Sequence, residues 1–175
     1  MEFIRTTGYG DSSWMPKRMQ YTNIDARLKT FENWNYCVPK EQLAEAGFYS
    51  RNDGDKVNCF MCGLSINMFE PGDDAWVEHA KHNPLCAFVQ LTKSRQFIIE
   101  SAKEFIVNLW LERIDVETIL EVHAFTIEDA REVLNKKFET DLCFYDKFVD
   151  FYNDVKEHVF KKNPNIIEQN HFEKN

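Results

Sequence analysis

The chain has 175 residues, of which 43% are hydrophobic, and this is enough to bury the core of one ordinary domain or of two small ones; we expect two. The formal net charge of −8, without any basic run, predicts no nucleic-acid partner, because a phosphate backbone would be repelled. No apolar run reaches the roughly 18 residues of a bilayer span and no signal sequence is recognisable, so we expect no membrane association and a cytoplasmic location, with the nucleus as the alternative.

The first half of the chain predicts short helices around a small sheet. Residues 1–18 lack apolar periodicity and are expected to form a poorly ordered lead-in. Apolar residues three apart predict a short helix within residues 23–34, and residues 40–49 predict a second helix that a glycine closes. A turn at residues 54–55 separates two predicted strands. An aspartate before residue 75 and a proline after residue 82 predict a capped helix over residues 75–82.

The second half of the chain predicts helices alone. Residues 93–113 form one amphipathic stretch, which predicts a connecting helix. Residues 114–160 predict three short helices, and the middle one begins with a capping box from Thr126 to Asp129. Residues 161–175 are polar and predict a frayed tail.

Three cysteines and one histidine have the spacing of a metal site. Two residues separate Cys59 from Cys62, sixteen separate Cys62 from His79, and six separate His79 from Cys86. Three sulfurs and one imidazole form a closed tetrahedral set for Zn²⁺, without an open position for a catalytic water. The alternative is that these cysteines are small buried apolar side chains. Because the total of five cysteines is odd and includes a close pair, a disulfide framework is disfavoured.

Several motifs around these residues resemble the baculoviral IAP repeat (BIR) of the inhibitor-of-apoptosis family. They are RLKTFENW at residues 27–34, LAEAGFY at 43–49, CFMCG at 59–63, DDAWVEH at 73–79, and Cys86. The resemblance implies an α+β fold, in which a zinc-stabilised domain over residues 19–92 contains a three-stranded antiparallel sheet with short helices. An all-α segment follows it. In many family members a surface groove binds peptides that begin with a free alanine.

The segment between Glu70 and Glu78 carries four acids and no base, so it would attract a protonated amine. The alternative is a solvated acidic cap, which the helix dipole favours in any case. The resemblance implies six groove residues: Ile66 and Asn67 on an edge strand, Phe69 against the alanine methyl, Asp73 and Glu78 around the amine, and His82 near the third peptide residue. His82 and Asn83 occupy positions that are aromatic in caspase-binding repeats. The resemblance therefore implies weaker packing of the groove against the third residue of the peptide. A plain solvent-exposed helix residue is the alternative for His82.

Residues 114–160 resemble a degenerate ubiquitin-associated (UBA-like) domain. The Met-Gly-Phe loop that contacts ubiquitin in that family reads His123-Ala124-Phe125 here. The alternative is a helical bundle in which the apolar residues of this segment are only core. Either organisation predicts three helices.

The resemblance implies an apoptosis inhibitor-like protein that captures the free N-terminal Ala motifs of caspases or of IAP antagonists. The alternatives are a survivin-like mitotic scaffold that reads a histone-type N-terminal tail, and an adaptor that binds ubiquitin. The cysteine and histidines after residue 86 are too dispersed for a RING finger, so we expect no enzyme unless the chain is a fragment of a longer ligase. Catalysis by Cys59 with His79 is disfavoured, because zinc-bound thiolates are poor nucleophiles.

Overall fold

The computed structural model describes residues 14–112, 125–145 and 147–164. In these ranges three strands form, β1 (Phe48–Ser50), β2 (Val57–Cys59) and β3 (Ser65–Ile66). The α-helices of the described residues are α1 (Ile24–Leu28), α2 (Lys40–Glu45), α3 (Ala75–His82), α4 (Ala87–Thr92), α5 (Arg95–Leu111), α6 (Ile127–Asp141) and α7 (Phe148–Lys162). None of these helices combines the length and the apolar character that crossing a membrane requires.

Two compact units divide between Ala102 and Lys103, within α5. We call the first the zinc unit and the second the helical unit. The domain limits expected from the sequence stay predictions, and the helix expected between residues 114 and 124 lies outside the described residues, as do residues 1–13 and 165–175.

The sheet has the order β1-β2-β3, and both pairings are antiparallel. The register places Phe48 opposite Cys59 and Val57 opposite Ile66. Since β2 lies in the middle, β3 is at an edge of the sheet. The expected three-stranded antiparallel sheet with short helices is confirmed.

A glycine closes the second predicted helix and turns the chain into the sheet. The helix α2 ends at Glu45, and Gly47 follows with a φ of +89° before Phe48 begins β1. A Cβ at this glycine would lie 2.8 Å from the Phe88 ring, so both the backbone angle and the space require glycine. Residues 48–49, which end the predicted run after its closing glycine, belong to β1.

A buried arginine links the first helices of the zinc unit. Arg27 is 4% exposed, and its Nε donates to the carbonyl of Ala44 at 2.8 Å. Its Nη1 donates to the carbonyls of Tyr21 and Thr22 at 2.7 and 2.9 Å. Burial lowers the pKa of Arg27, and the three carbonyls compensate the cost of burying the charge. The guanidinium also lies 4.8 Å from the centre of the Phe60 ring.

The end of the predicted lead-in is bonded to the rest of the zinc unit. The backbone N–H groups of Lys17 and Arg18 donate to the carbonyls of Met61 and Phe60 at 3.1 and 3.0 Å. These two carbonyls lie in the turn after β2. Residues 17–18 thus contact the turn that lies between the candidate metal ligands Cys59 and Cys62.

The helical unit is built around aromatic side chains. Its core consists of Val107, Ala130, Val133, Leu134, Phe151, Val155 and Val159. The Trp110 ring lies 5.4 Å from the Phe151 ring. The predicted capping box is present, since Thr126 and Asp129 exchange side-chain to backbone hydrogen bonds of 3.1 and 3.2 Å at the start of α6. An all-α segment after the sheet domain is thereby confirmed.

Candidate metal centre and adjoining groove

The four predicted metal ligands converge from separate elements of the zinc unit. Cys59 ends β2, and Cys62 lies in the turn that follows. His79 lies on α3, and Cys86 immediately precedes α4. All four side chains are buried, and their ligand atoms lie within 4.8 Å of one another.

The distances between the ligand atoms fit a zinc ion. The Sγ atoms of Cys59 and Cys86 are 4.0 Å apart, and the Sγ of Cys62 is 3.6 Å from the Nε2 of His79. A zinc tetrahedron with Zn–S of about 2.3 Å and Zn–N of about 2.0 Å has edges of about 3.8 Å between sulfurs and about 3.5 Å between sulfur and nitrogen. The donor set and its spacing therefore form a zinc site.

The orientation of His79 is set by a backbone carbonyl. The Nδ1 of His79 lies 2.7 Å from the carbonyl oxygen of Ala46, which can only accept, so Nδ1 carries the hydrogen. This leaves Nε2 as the lone-pair donor, facing the sulfurs. Sequence reasoning missed Ala46, because a main-chain group leaves no signal in the side chains. The Phe48 ring, 4.7 Å from the imidazole, covers one side of the site.

The electrostatics of the site favour a positive charge at its centre. Burial alone would lower the pKa of His79, but the sulfurs of Cys62 and Cys86 raise it to about 9. Zn²⁺ supplies the positive charge when it is bound, and ligation keeps the imidazole neutral. With four protein ligands the coordination is closed, so these residues hold the fold and leave no position at the metal for a hydrolytic water.

The predicted groove begins at the edge strand. Ile66 lies on β3, with its side chain buried, and Asn67 follows with its side chain exposed. On the described part of the chain β3 pairs only with β2, so its outer edge faces away from the sheet. An unpaired edge can accept a further strand. The half-buried ring of Phe69 comes three residues after Ile66.

The two predicted amine ligands flank the start of α3. The Oδ2 of Asp73 accepts the N–H of Glu70 at 2.7 Å, which leaves its other oxygen for a ligand. Glu78 lies in the first turn of α3, whose N-cap is Asp74. The carboxylate of Glu78 lies 3.1 Å from the Nζ of Lys81 and 3.4 Å from the Nε2 of His82.

Lys81 was missed by the sequence argument, which counted charges only up to Glu78. The signal was available, because residues three apart on a helix lie side by side. Burial lowers the pKa of His82, and the charge of Glu78 opposes this only in part. The imidazole of His82 is therefore neutral near pH 7.

Asn83 is the second position at which caspase-binding repeats have an aromatic residue, and here it is 1% exposed. Its side chain lies inside the unit and adds nothing to the surface beside His82. The structure thus brings Glu78 and His82 together on one helix, with the side chain of Asn83 buried beside them in sequence.

A family model described as the Inhibitor of Apoptosis domain, the BIR, matches residues 27–90. This range contains the four zinc ligands and the six predicted groove residues. The chain belongs to the inhibitor-of-apoptosis family. Its BIR domain coincides with the part of the zinc unit that holds the sheet, α3 and the metal site.

Relatives with assigned names support the same family. The E3 ubiquitin-protein ligase XIAP of Rattus norvegicus is 41% identical over 90 residues, which cover 51% of this chain and 18% of the relative. XIAP of Xenopus tropicalis is 33% identical over 164 residues, covering 83% of this chain and 33% of the relative. A crystal structure of DIAP1 BIR1 bound to a Grim peptide aligns with a TM-score of 0.38 and 38% identity, over 41% of this chain and 74% of that chain.

The comparison overturns one prediction from the sequence. We expected no enzyme, but the XIAP relatives are named as E3 ubiquitin-protein ligases, which are enzymes. The expectation depended on the lack of a second cluster of cysteines and histidines. This chain spans only 18% and 33% of the length of the rat and Xenopus tropicalis proteins. The lack of a second cysteine and histidine cluster in these residues therefore does not exclude ligase activity in a member of the family.

Proposed function

We propose that the zinc unit captures the free N-terminus of a partner protein, an Ala motif exposed on a processed caspase or on an IAP antagonist. The observation that carries the proposal is the position of Asp73 and Glu78, two carboxylates at the start of α3, the helix that follows the edge strand. A protonated terminal amine is the charged group that every peptide chain can offer there. The BIR match over residues 27–90 supports the same kind of surface.

The peptide would bind as an added strand. Its backbone would pair with the open edge of β3 at Ile66 and Asn67, to which no other strand of residues 14–112, 125–145 or 147–164 bonds. The Phe69 ring would pack against the alanine methyl, and a larger side chain at the first position would clash there. The amine would bind the carboxylates at the start of α3. It would compete there with Lys81 for the carboxylate of Glu78.

Fluorescence anisotropy of the zinc-loaded chain with a labelled peptide that begins Ala-Val-Pro tests this proposal. We expect micromolar or tighter binding, and a loss of at least roughly tenfold when the same peptide is N-acetylated, because acetylation removes the charge that the carboxylates compensate. Glu78→Gln and Asp73→Asn should weaken binding of the free peptide. Glu41→Gln, an exposed acid on α2, is the control and should leave binding unchanged.

Equal affinity for the free and the acetylated peptide would refute amine capture. So would unchanged binding by both groove variants. In either case the acidic segment would be no more than the capped end of α3.

The second candidate is a survivin-like scaffold that reads a phosphorylated histone-type tail. Lys81 and His82 lie side by side on α3 and are donors that could meet a phosphate. Because the pKa of His82 is lowered, its contribution should grow as the pH falls below neutrality. Tighter binding of a phosphothreonine tail than of the Ala-Val-Pro peptide, lost in His82→Ala, would favour this function.

Two further expectations concern the rest of the chain. The helical unit, with residues 114–160 as its UBA-like segment, would bind ubiquitin, and the protein would work in the cytoplasm or the nucleus. Labelled ubiquitin titrated with the full chain tests the first, and imaging of a tagged chain tests the second. If the NMR chemical shifts of the labelled ubiquitin do not change during the titration, the helical unit does not bind ubiquitin and has only a structural role.

A further inference from the structure

The segment that connects β3 to α3 is held by side chains from other loops. We call Met68–Glu70 the groove loop, because it carries Phe69. The N–H of Met68 donates to the Oδ2 of Asp55 at 2.5 Å. The Sγ of Cys37 donates to the carbonyl of Phe69 at 3.0 Å.

The groove loop is held one residue further by Asp73, whose Oδ2 accepts the N–H of Glu70 at 2.7 Å. Three consecutive residues are thus each bonded by a side chain from outside the groove loop, two of them from other loops and one from Asp73 further along the same connection. Asp55 comes from the turn between β1 and β2, and Cys37 comes from the connection between α1 and α2. Neither residue is close in sequence to the groove loop.

The conformation of Met68 explains why such bonds are needed. Its φ is +59°, the left-handed region, which is unfavourable for a residue with a Cβ. Its side chain is 77% exposed, so packing of that side chain does not hold it. A strained residue of this kind persists only where its surroundings stabilise it. Here the hydrogen bond from the N–H of Met68 to the carboxylate of Asp55 stabilises it.

We propose that Asp55 and Cys37 are positioning residues of the peptide groove. They hold the groove loop in one conformation before the peptide arrives, so that Phe69 and the edge at Asn67 are already placed for binding. Neither side chain touches the peptide in this arrangement. The proposal depends on the proposed function of the groove, because a fixed loop strengthens binding only if a peptide binds there.

Paired variants of the full zinc-loaded chain test the proposal. We expect Asp55→Ala and Cys37→Ala each to weaken binding of the free Ala-Val-Pro peptide by roughly five- to tenfold, the effect of one lost hydrogen bond. Asp55→Asn keeps an acceptor and Cys37→Ser keeps a donor, so both should stay within about twofold of the original chain. The exposed neighbours Asp53 and Asn35, each changed to alanine, are the matched controls.

Two readouts separate positioning from loss of fold. Zinc content and the thermal midpoint should be the same in all six variants, since Asp55 and Cys37 lie outside the metal site. Amide hydrogen exchange at Met68 should be faster in Asp55→Ala than in the original chain and in Asp53→Ala. Unchanged exchange at Met68 in Asp55→Ala, or alanine variants that bind as tightly as the original, would overturn the proposal.

The exchange readout also keeps this proposal distinct from the proposed function. If the original chain fails to bind any free-amine peptide, amine capture fails. Exchange at Met68 then still decides whether Asp55 fixes the groove loop, and equal exchange in Asp55→Ala and Asp53→Ala would overturn that as well. Weak peptide binding by Asp55→Asn and Cys37→Ser, with normal zinc content, would likewise contradict the role of these hydrogen bonds.

Discussion

The zinc unit and the helical unit reach stability by different means. In the zinc unit the strands have two or three residues, and α1 to α4 have five to eight. Helices of this length are marginal in water by themselves, and the metal site joins three such elements at one point. In the helical unit α6 and α7 have 15 residues each and pack around aromatic side chains. The zinc unit also buries Phe31, Leu43 and Phe48, so its four ligands tie together short elements that already share a core.

Removal of zinc should have the largest effect, and it should fall on one unit. Chelation, or Cys86→Ala, should unfold the zinc unit, since the binding energy of a structural zinc, about 10 kcal/mol or more, is largely its folding energy. Thermal melts followed by circular dichroism, with zinc measured by metal analysis, should lose the zinc-dependent transition and keep a helical one. Cys143→Ala, in the helical unit, is the control and should retain zinc. A zinc-free chain that still melts with both transitions would contradict the comparison.

A cavity in the aromatic core should have the next largest effect, in the other unit. Phe151 is fully buried, and its ring lies between 5.4 and 5.6 Å from those of Trp110, Tyr145 and Phe148. Phe151→Ala should cost about 3–5 kcal/mol of unfolding free energy in the helical unit, because both the buried area and the packing are lost. Urea titration measures this cost.

The same Phe151→Ala chain should keep its zinc and its affinity for the free-amine peptide. Val149→Ala, a truncation at an exposed position of the same helix, should change the unfolding free energy by less than about 0.5 kcal/mol. Loss of zinc from Phe151→Ala would show that the units are not independent.

The acid sensitivity of the helical unit should be a smaller effect, separate from the loss of zinc that protonation of the metal ligands causes in the zinc unit. Burial raises the pKa of Asp129, but hydrogen bonds from Thr126 and Lys162 outweigh it and lower the pKa below the ordinary 3.8. Lys162 also lowers the pKa of Glu132 from 4.5. Because both pKa values are depressed in the folded chain, this stabilisation is present above about pH 4.5 and is lost as the pH falls through the lowered values.

The thermal midpoint of the helical transition between pH 6 and pH 3 checks this effect. Lys162→Met should reduce the dependence on pH, whereas Lys136→Met, at an exposed position of α6, should preserve it. The effect should also shrink at high salt, since the pairs are near the surface. An unchanged pH profile in Lys162→Met would assign the acid sensitivity to other groups.

Local signals account for what could be predicted from the sequence. The zinc set was predictable because cysteine and histidine carry their chemistry in the side chain and the spacing is short. The bounds of α3 followed from the cap at Asp74 and the proline at 84, and the start of α6 followed from Thr126. Each of these signals lies within a few residues of the feature that it marks.

Features that depend on contacts between distant residues could not be predicted. α4 begins at Ala87, and its N-cap Cys86 makes no side-chain cap bond, so no start signal was visible. The glycine that closes α2 was predictable, but the approach of Phe88 to Gly47 joins residues some forty apart in sequence. The bonds from Asp55 and Cys37 to the groove loop likewise join residues that the sequence separates. The resemblance to the family predicted the groove residues but not the side chains that bond to the groove loop.

The most direct test of amine capture by the zinc unit is hydrogen exchange of the full zinc-loaded chain with the free and with the N-acetylated Ala-Val-Pro peptide. We predict that the free peptide slows exchange in β3, the groove loop and the first turn of α3, and leaves α6 and α7 unchanged. The acetylated peptide should slow none of them. Equal protection by both peptides, or protection confined to the helical unit, would contradict the account.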